Sequence, residues 1–396
     1  SNRSLNIRAP YESEIALEKL EAGKMAAVPG SNRSLNIRAP YESEIALEKL
    51  EAGKMPALPG ANRSLNIRAP YESQSMVLGG PCQNYGEFGT VGAMPCVTRE
   101  YSKGLLSDLI EIARRSSSLP SGLQDELRLL GRTVIDCSGT GGSGLPHFNT
   151  STSSAFVLAA AGLKVAKFGG RAASSKSGSF DFLEGLGFTS NLPCEAIADG
   201  IESCGVVFIL AAEVYPQLKR LAPIRKKIAR PTAINFIGPL LNPLNPGYRV
   251  MGISSDSIRS QIAEYLASSY ECNHALLVTA DSRIDELLPV GRNSLSRIEN
   301  GLLSEEILNT SYVISKSEYT ILDAAENVEI FGRILTGEDC SSTFYYSLLL
   351  NSAAGLMVGG IVDSINAGVD LAKGLVSSGQ VAATLERARR FYGRFS

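Results

Sequence analysis

The sequence predicts an α/β protein: a large α/β domain with a mostly parallel sheet, a small helical domain, and a repetitive N-terminal extension ahead of both. Three observations lead there. From Arg132 onward, short apolar runs rich in β-branched residues alternate with helical stretches, the pattern of successive βα units. Before Arg132 come two helical stretches with no strand between them. The first 73 residues repeat with a period of 30.

The repeat S-N-R-S-L-N-I-R-A-P-Y-E-S begins at Ser1, returns at Ser31, and returns again from Ala61 with Ala in first place. The first two copies differ only at Ala26/Pro56 and Val28/Leu58. In each full copy an extended, Arg-bearing part is followed by a short helical piece with Ser13 or Ser43 as N-cap. Copies this poor in apolar residues bury no shared core, so the extension reads as flexible or loosely packed, or as an artefact of assembly. A duplicated first helix and a multi-core peptide substrate are the two other readings. The expected organisation is 1–75, the repetitive extension; 76–131, a connector and the N-terminal helices of the small domain; and 132–396, the α/β domain.

Residues 98–116 carry Leu105, Leu106, Leu109, Ile110 and Ile112 on one helical face, and 120–130 form a second, shorter helix. Strands are predicted at 134–136, 164–168, 205–211, 232–236, 249–253 and 274–279. They are short, β-branched and mostly apolar throughout, as expected of a sheet covered on both faces. Helices are predicted between them at 154–162, 180–187, 194–203 and 257–268, a basic helical stretch at 215–229, and closing helices at 351–360 and 364–392.

Composition excludes several classes of function. With 44% hydrophobic and 20% charged residues the chain is ordinarily globular, and a formal net charge of −2 gives no field for nucleic acid. Seven cysteines, an odd number without a C-x-x-C pair, predict reduced, buried thiols and a cytoplasmic protein. Two histidines leave no basis for a His-built metal site. No apolar run approaches the roughly 20 residues of a membrane span, and the polar, charged start of the chain carries no signal peptide.

The most informative stretch is 135–152. An apolar run leads into Gly139-Thr140-Gly141-Gly142-Ser143-Gly144, with four glycines in six positions, and a small-residue helix follows. Strand, glycine loop and helix N-terminus together present unpaired N–H groups and the positive end of a helix dipole to an anion. Alone, such a loop is as often a tight turn. Lys167 and Arg171 in K-F-G-G-R, then S-S-K-S-G-S ending at Ser179, add three cations and a row of hydroxyls, which suits a ligand with several phosphates.

G-T-G-G-S-G, F-N-T-S-T, V-A-K-F-G-G-R and S-S-K-S-G-S occur in that order, followed by Y-P-Q-L-K-R-L-A-P-I-R-K-K, I-N-F-I-G-P-L-L-N-P, I-D-E-L and N-S-A-A-G-L. From about Val134 to the C-terminus the chain resembles the anthranilate phosphoribosyltransferases, which share their fold with pyrimidine nucleoside phosphorylases. The resemblance implies a homodimer in which residues 213–230 return to the helical domain and substrates enter the cleft between domains. It implies transfer of the phosphoribosyl group of phosphoribosyl pyrophosphate (PRPP) to a small aromatic amine, anthranilate, in tryptophan synthesis, with Mg²⁺ as cofactor. It places Gly139, Thr140, Gly141, Gly142, Ser143, Asn149, Ser151, Thr152, Lys167, Ser175 and Lys176 on the PRPP side. It places Asp285 and Glu286, with Ser151, at the metal. Phe168, Gly170, Tyr215 and Arg225 fall on the acceptor side.

Four positions depart from the family pattern. Ser143 stands where the glycine loop usually carries Asp. Phe168 and Gly170 replace the His and Asn of K-H-G-N-R, and Tyr215 replaces the His of H-P-A-M-K. The phosphoribosyl half of the expected site is kept and the acceptor half rebuilt. Two alternatives therefore stand beside the main reading: a relative with another acceptor, in a specialised pathway or with a peptide as substrate, and a relative that binds without catalysing.

Overall fold

The computed structural model describes residues 103–396 apart from 142–147, 172–176, 189–191, 220–232, 270–271, 313–321 and 396. Contacts divide the chain into two units, Ser1–Pro81 and Cys82–Ser396, and every described residue belongs to the second. The repeats, with Gly142, Ser143, Ser175, Lys176 and Arg225, lie outside the described residues.

Two helices come first, α1 (Lys103–Arg115) and α2 (Ser121–Gly131). The sheet follows: β1 (Val134–Gly139), α3 (Thr150–Ala160), β2 (Lys164–Gly169), α4 (Ser179–Gly185), α5 (Ile197–Cys204) and β3 (Val206–Leu210). Two short helices, α6 (Ala211–Val214) and α7 (Pro216–Lys219), precede α8 (Ala233–Ile237) and a 3₁₀ turn, Gly238–Leu241. Then come β4 (Tyr248–Gly252), α9 (Asp256–Ser268), β5 (His274–Ala280), β6 (Val290–Glu299) and β7 (Leu302–Ser311). Four helices close the chain: α10 (Ala324–Thr336), α11 (Thr343–Val358), α12 (Ile365–Ser377) and α13 (Gln380–Tyr392).

One seven-stranded sheet runs β3-β2-β1-β4-β5-β6-β7. The five strands from β3 to β5 are parallel, and β6 and β7 add an antiparallel edge. Alternate residues of each central strand feed opposite cores. Ile135, Val165, Val206, Val250 and Leu276 pack on the face covered by α3, α11 and α13. Val134, Ala166, Val207, Met251 and Leu277 pack on the face covered by α1, α5 and α9. This two-sided burial explains the unbroken apolar runs. Every residue of α11 except Tyr346 is buried, so its sequence shows no polar stripe.

Two departures from the sequence reading have physical causes. Residues 232–236 were expected to form a strand, but α8 is helical. A short apolar run carries no period to decide between the two, and both sides of β1 are already taken by β2 and β4. The β6–β7 hairpin was not anticipated, because Arg292, Asn293, Ser294, Ser296 and Arg297 break the apolar run in β6. Its turn is Asn300-Gly301, both at positive φ (49° and 82°), the sequence signal of a type I′ hairpin.

The chain builds outward from β1 through β2 to β3, then returns to the other side of β1 for β4 and β5. The carboxyl ends of β1 and β4 therefore flank the point where strand order reverses, the place where open α/β sheets hold ligands.

Candidate active site

β1 and β4 both end in glycine, and Gly139 and Gly252 are partners in register. The reason lies in the loop after β5. A methyl group on Gly139 would sit 2.5 Å from Asp285 Oδ2, and one on Gly252 would overlap the backbone carbonyl of Asp285. The two glycines thus form a floor on which the acidic loop is seated. Asp285 then reaches back to the glycine loop, where its Oδ2 accepts the Gly141 N–H at 2.7 Å. Gly141 itself sits at φ +65°, a left-handed conformation that favours glycine.

The loops after β1 and β4 are tied together by short polar links. The Thr140 N–H donates to Gly252 O at 2.9 Å, the Ser254 N–H donates to Thr140 Oγ1 at 3.2 Å, and Ser254 Oγ donates to Gly141 O at 3.0 Å. Ser254 was not anticipated from sequence, where a lone Ser after a strand carries no signal.

Lys167, near the end of β2, is buried beneath this arrangement. Its Nζ donates to Cys137 O at 2.7 Å and to Ser151 Oγ at 3.1 Å. Burial pulls its pKa below the ordinary lysine value, opposed by the nearby carboxylates of Asp136 and Asp285. Burial also pushes the Cys137 thiol up to about 12, so this cysteine is a packed, neutral group and not a nucleophile. Asp136, equally buried, has its carboxyl pKa raised by burial. It accepts the Phe168 N–H at 3.4 Å and Asn242 Nδ2 at 3.0 Å, which ties β1 to β2 and to the G-P-L-L-N-P turn.

At the N-terminus of α3, Asn149 is held from two sides. Its N–H donates to Asn327 Oδ1 at 2.9 Å, and its Nδ2 donates to Ser177 Oγ at 2.8 Å. Asn327 is completely buried on α10, one residue beyond the capping box that Asp323 and Glu326 form at that helix start. Ser151 is half-buried, whereas Thr152 is wholly buried with no hydrogen-bond partner for its hydroxyl among the described residues. Arg171, grouped by sequence with the phosphate-side cations, pairs with Glu184 on α4, Nη1 to Oε2 at 2.8 Å, and with Asp181. Its charge is directed to α4.

On the opposite face of the sheet, Phe168 and Tyr215 pack edge to face, with ring centroids 6.1 Å apart. Both belong to the buried core. The Tyr215 hydroxyl donates to Leu241 O at 2.8 Å, and burial pushes it up to about 12. Gly170 lies in the open turn after β2, where an added methyl would meet nothing within 4 Å.

The structure thus brings together Gly139, Thr140, Gly141, Lys167, Ser151 and Asp285 at the β1/β4 switch point, with Asn149 at the head of α3 and Glu286 next to Asp285 in the chain. Among the described residues no group of three or more His, Cys, Asp or Glu is placed to hold a metal by itself. Two adjacent carboxylates and a hydroxyl fit Mg²⁺, which binds through one or two carboxylates and completes its oxygen shell with phosphates and water.

Comparison with known proteins places the chain in a family. Residues 131–382 match the model of the glycosyl transferase family, a/b domain. Curated anthranilate phosphoribosyltransferases are similar to the chain. That of Lactococcus lactis subsp. cremoris (strain MG1363) is 37% identical over 259 residues, 64% of this chain and 75% of the relative. That of Listeria monocytogenes serovar 1/2a is 39% identical over 253 residues, 62% and 73%. The crystal structure of anthranilate phosphoribosyltransferase from Thermus thermophilus aligns with a TM-score of 0.64 at 28% identity, covering 74% of this chain and 86% of that one. The Saccharomyces cerevisiae enzyme, solved in complex with PRPP and Mg, shares the fold at 23% identity and a TM-score of 0.64, covering 74% and 81%.

Proposed function

The chain belongs to the anthranilate phosphoribosyltransferase family, and we propose that it transfers the phosphoribosyl group of PRPP to an aromatic amine, anthranilate. The observation that supports this reading is the meeting of Gly139, Gly141 and Asp285 beside the buried Lys167 at the switch point of the sheet. In the reaction the amine nitrogen forms a bond to the anomeric carbon while the carbon–oxygen bond to pyrophosphate breaks. Pyrophosphate leaves with the bonding electrons, and the amine then gives up a proton. Negative charge grows on the leaving group, so the catalytic requirement is a preorganised set of cations and N–H donors around it. We assign that role to Lys167 and to the remaining N–H groups of the glycine loop, since those of Thr140 and Gly141 are donated to Gly252 O and Asp285 Oδ2. Asp285, Glu286 and Ser151 would hold Mg²⁺, which when bound neutralises charge on the pyrophosphate oxygens.

A second reading, transfer to another acceptor, has one observation in its favour. Where the family pattern has two histidines, this chain packs Phe168 and Tyr215 against each other in the core. A pair so buried offers no imidazole to an incoming amine.

PRPP calorimetry with and without Mg²⁺, followed by pyrophosphate release over a panel of aromatic amines, tests the proposal. Mg²⁺-dependent binding with release on anthranilate supports it. Binding without release on any amine makes the chain a non-catalytic relative. Intact-mass measurement after incubation with PRPP and Mg²⁺ alone tests the peptide reading: an unchanged mass over residues 1–73 excludes the repeats as acceptors.

A further inference from the structure

The acidic loop is gripped from behind by two buried asparagines on separate elements. Asn351, on α11, accepts the Leu287 N–H at 2.9 Å with Oδ1 and donates from Nδ2 to Leu287 O at 2.9 Å and to Ser347 O at 2.9 Å. Asn293, on β6, treats the next residue in the same way. Its Oδ1 accepts the Leu288 N–H at 2.8 Å, and its Nδ2 donates to Leu288 O at 3.1 Å, with Leu308 O and Thr310 Oγ1 also in reach at 3.3 and 3.2 Å.

Leu287 and Leu288 are buried and belong to no strand, so their backbone groups need partners from outside the sheet. Each side-chain amide supplies a donor and an acceptor together, as a neighbouring strand would. Two successive residues with both backbone groups paired leave the preceding Glu286 and Asp285 little freedom of direction. On its other flank the loop rests on Gly139 and Gly252 and holds the Gly141 N–H. N-S-A-A-G-L, the motif that contains Asn351, thereby acquires a task that sequence did not suggest.

We propose that Asn351 and Asn293 are positioning residues for the metal-holding loop, a role that rests on the reading of Asp285 and Glu286 given above. Their side-chain amides bond to the backbone of the loop. They set the direction from which the two carboxylates meet the cation. Outer partners of this kind typically change metal affinity by about 10- to 100-fold when removed.

The test is made on the full chain with Mg²⁺ and PRPP as probes. Asn351→Ser and Asn293→Ser are titrated for the Mg²⁺ concentration that gives half-maximal PRPP binding. Asp285→Asn and Tyr392→Phe are run beside them. Tyr392 lies in the core, where its hydroxyl accepts the Phe208 N–H at 2.7 Å, so it reports loss of a buried hydrogen bond remote from the loop. The expected result is a rise of about 10- to 100-fold in the half-saturating Mg²⁺ concentration for each Asn variant, with PRPP affinity restored at high Mg²⁺ and no rise for Tyr392→Phe. A rise no larger than that of Tyr392→Phe, while Asp285→Asn abolishes the Mg²⁺ dependence, overturns the positioning role and leaves the metal reading intact. An unchanged Mg²⁺ dependence in Asp285→Asn overturns the metal reading and the proposal with it. Should one Asn variant not fold, the other decides alone, since each grips a different residue.

Discussion

Gly252→Ala is a sharp perturbation of the site that changes the chemistry of no functional side chain. The added methyl would overlap the carbonyl oxygen of Asp285 and lie 3.0 Å from its Cα. These are backbone atoms, so no rotamer change relieves the contact, and the loop must withdraw by on the order of 2 Å to reach ordinary van der Waals distance. Overpacking of this kind costs about 1–3 kcal/mol of stability, which a domain of this size survives. The functional cost is larger, because a displacement of about 1 Å near the chemistry can cost 10²-fold in rate. The expected outcome is therefore a folded protein with slightly lowered thermal stability, a raised Mg²⁺ requirement for PRPP binding, and turnover reduced by about 100-fold or more. Gly374→Ala, on α12 where an added methyl meets nothing within 4 Å, serves as the control and gains about 0.5–1 kcal/mol from helix propensity. Wild-type turnover and Mg²⁺ requirement in Gly252→Ala would refute the seating of the acidic loop on the glycine floor.

Three further outcomes follow from the proposed function. Replacing Asp285 by Asn and Glu286 by Gln together removes the metal donors, so initial rates should fall by at least about 100-fold while circular dichroism shows retained structure. Lys167→Met should lower turnover, since it removes a cation buried under the glycine loop, and it should change the pH profile of stability. Because burial holds Lys167 below its ordinary pKa, the unfolded chain binds more protons between the lowered value and about 10.4. Wild-type stability should then rise with pH through that window and be lost as pH falls through the lowered value. Urea midpoints compared between pH 7 and 9.5 should show the wild type gaining on the variant. Arg225→Lys should raise the acceptor KM more than the PRPP KM, because only Arg holds a carboxylate through two parallel hydrogen bonds; equal rises would move Arg225 off the acceptor side.

The α/β architecture was legible because the central strands are buried on both faces and so read as unbroken apolar runs. The glycine loop stood out through the basic and hydroxyl-rich motifs that follow it, since alone such a run is as often a tight turn. The antiparallel edge was hidden by polar residues such as Asn293 and Ser296, both buried for reasons a linear pattern does not show, although Asn300-Gly301 marked the turn. Asn351, Asn293 and Asn327 escaped notice as working residues for the same reason. Each is a single amide in an apolar or mixed segment, and its worth depends on a backbone that the fold brings to it from 64, 5 and 178 residues away. Phe168 and Tyr215 were visible as departures from the family pattern, but their packing against each other appears only when β2 and the residue ahead of α7 come together.

Transfer of the phosphoribosyl group from PRPP to anthranilate is the proposed reaction of the switch-point site. The direct measurement is mass spectrometry of the small-molecule products after incubating the full chain with PRPP, Mg²⁺ and anthranilate. The expected product is anthranilate bearing one phosphoribosyl group, formed one for one with pyrophosphate and absent with the Asp285/Glu286 double variant. Unmodified anthranilate, after incubation at concentrations where calorimetry shows PRPP bound, would contradict it.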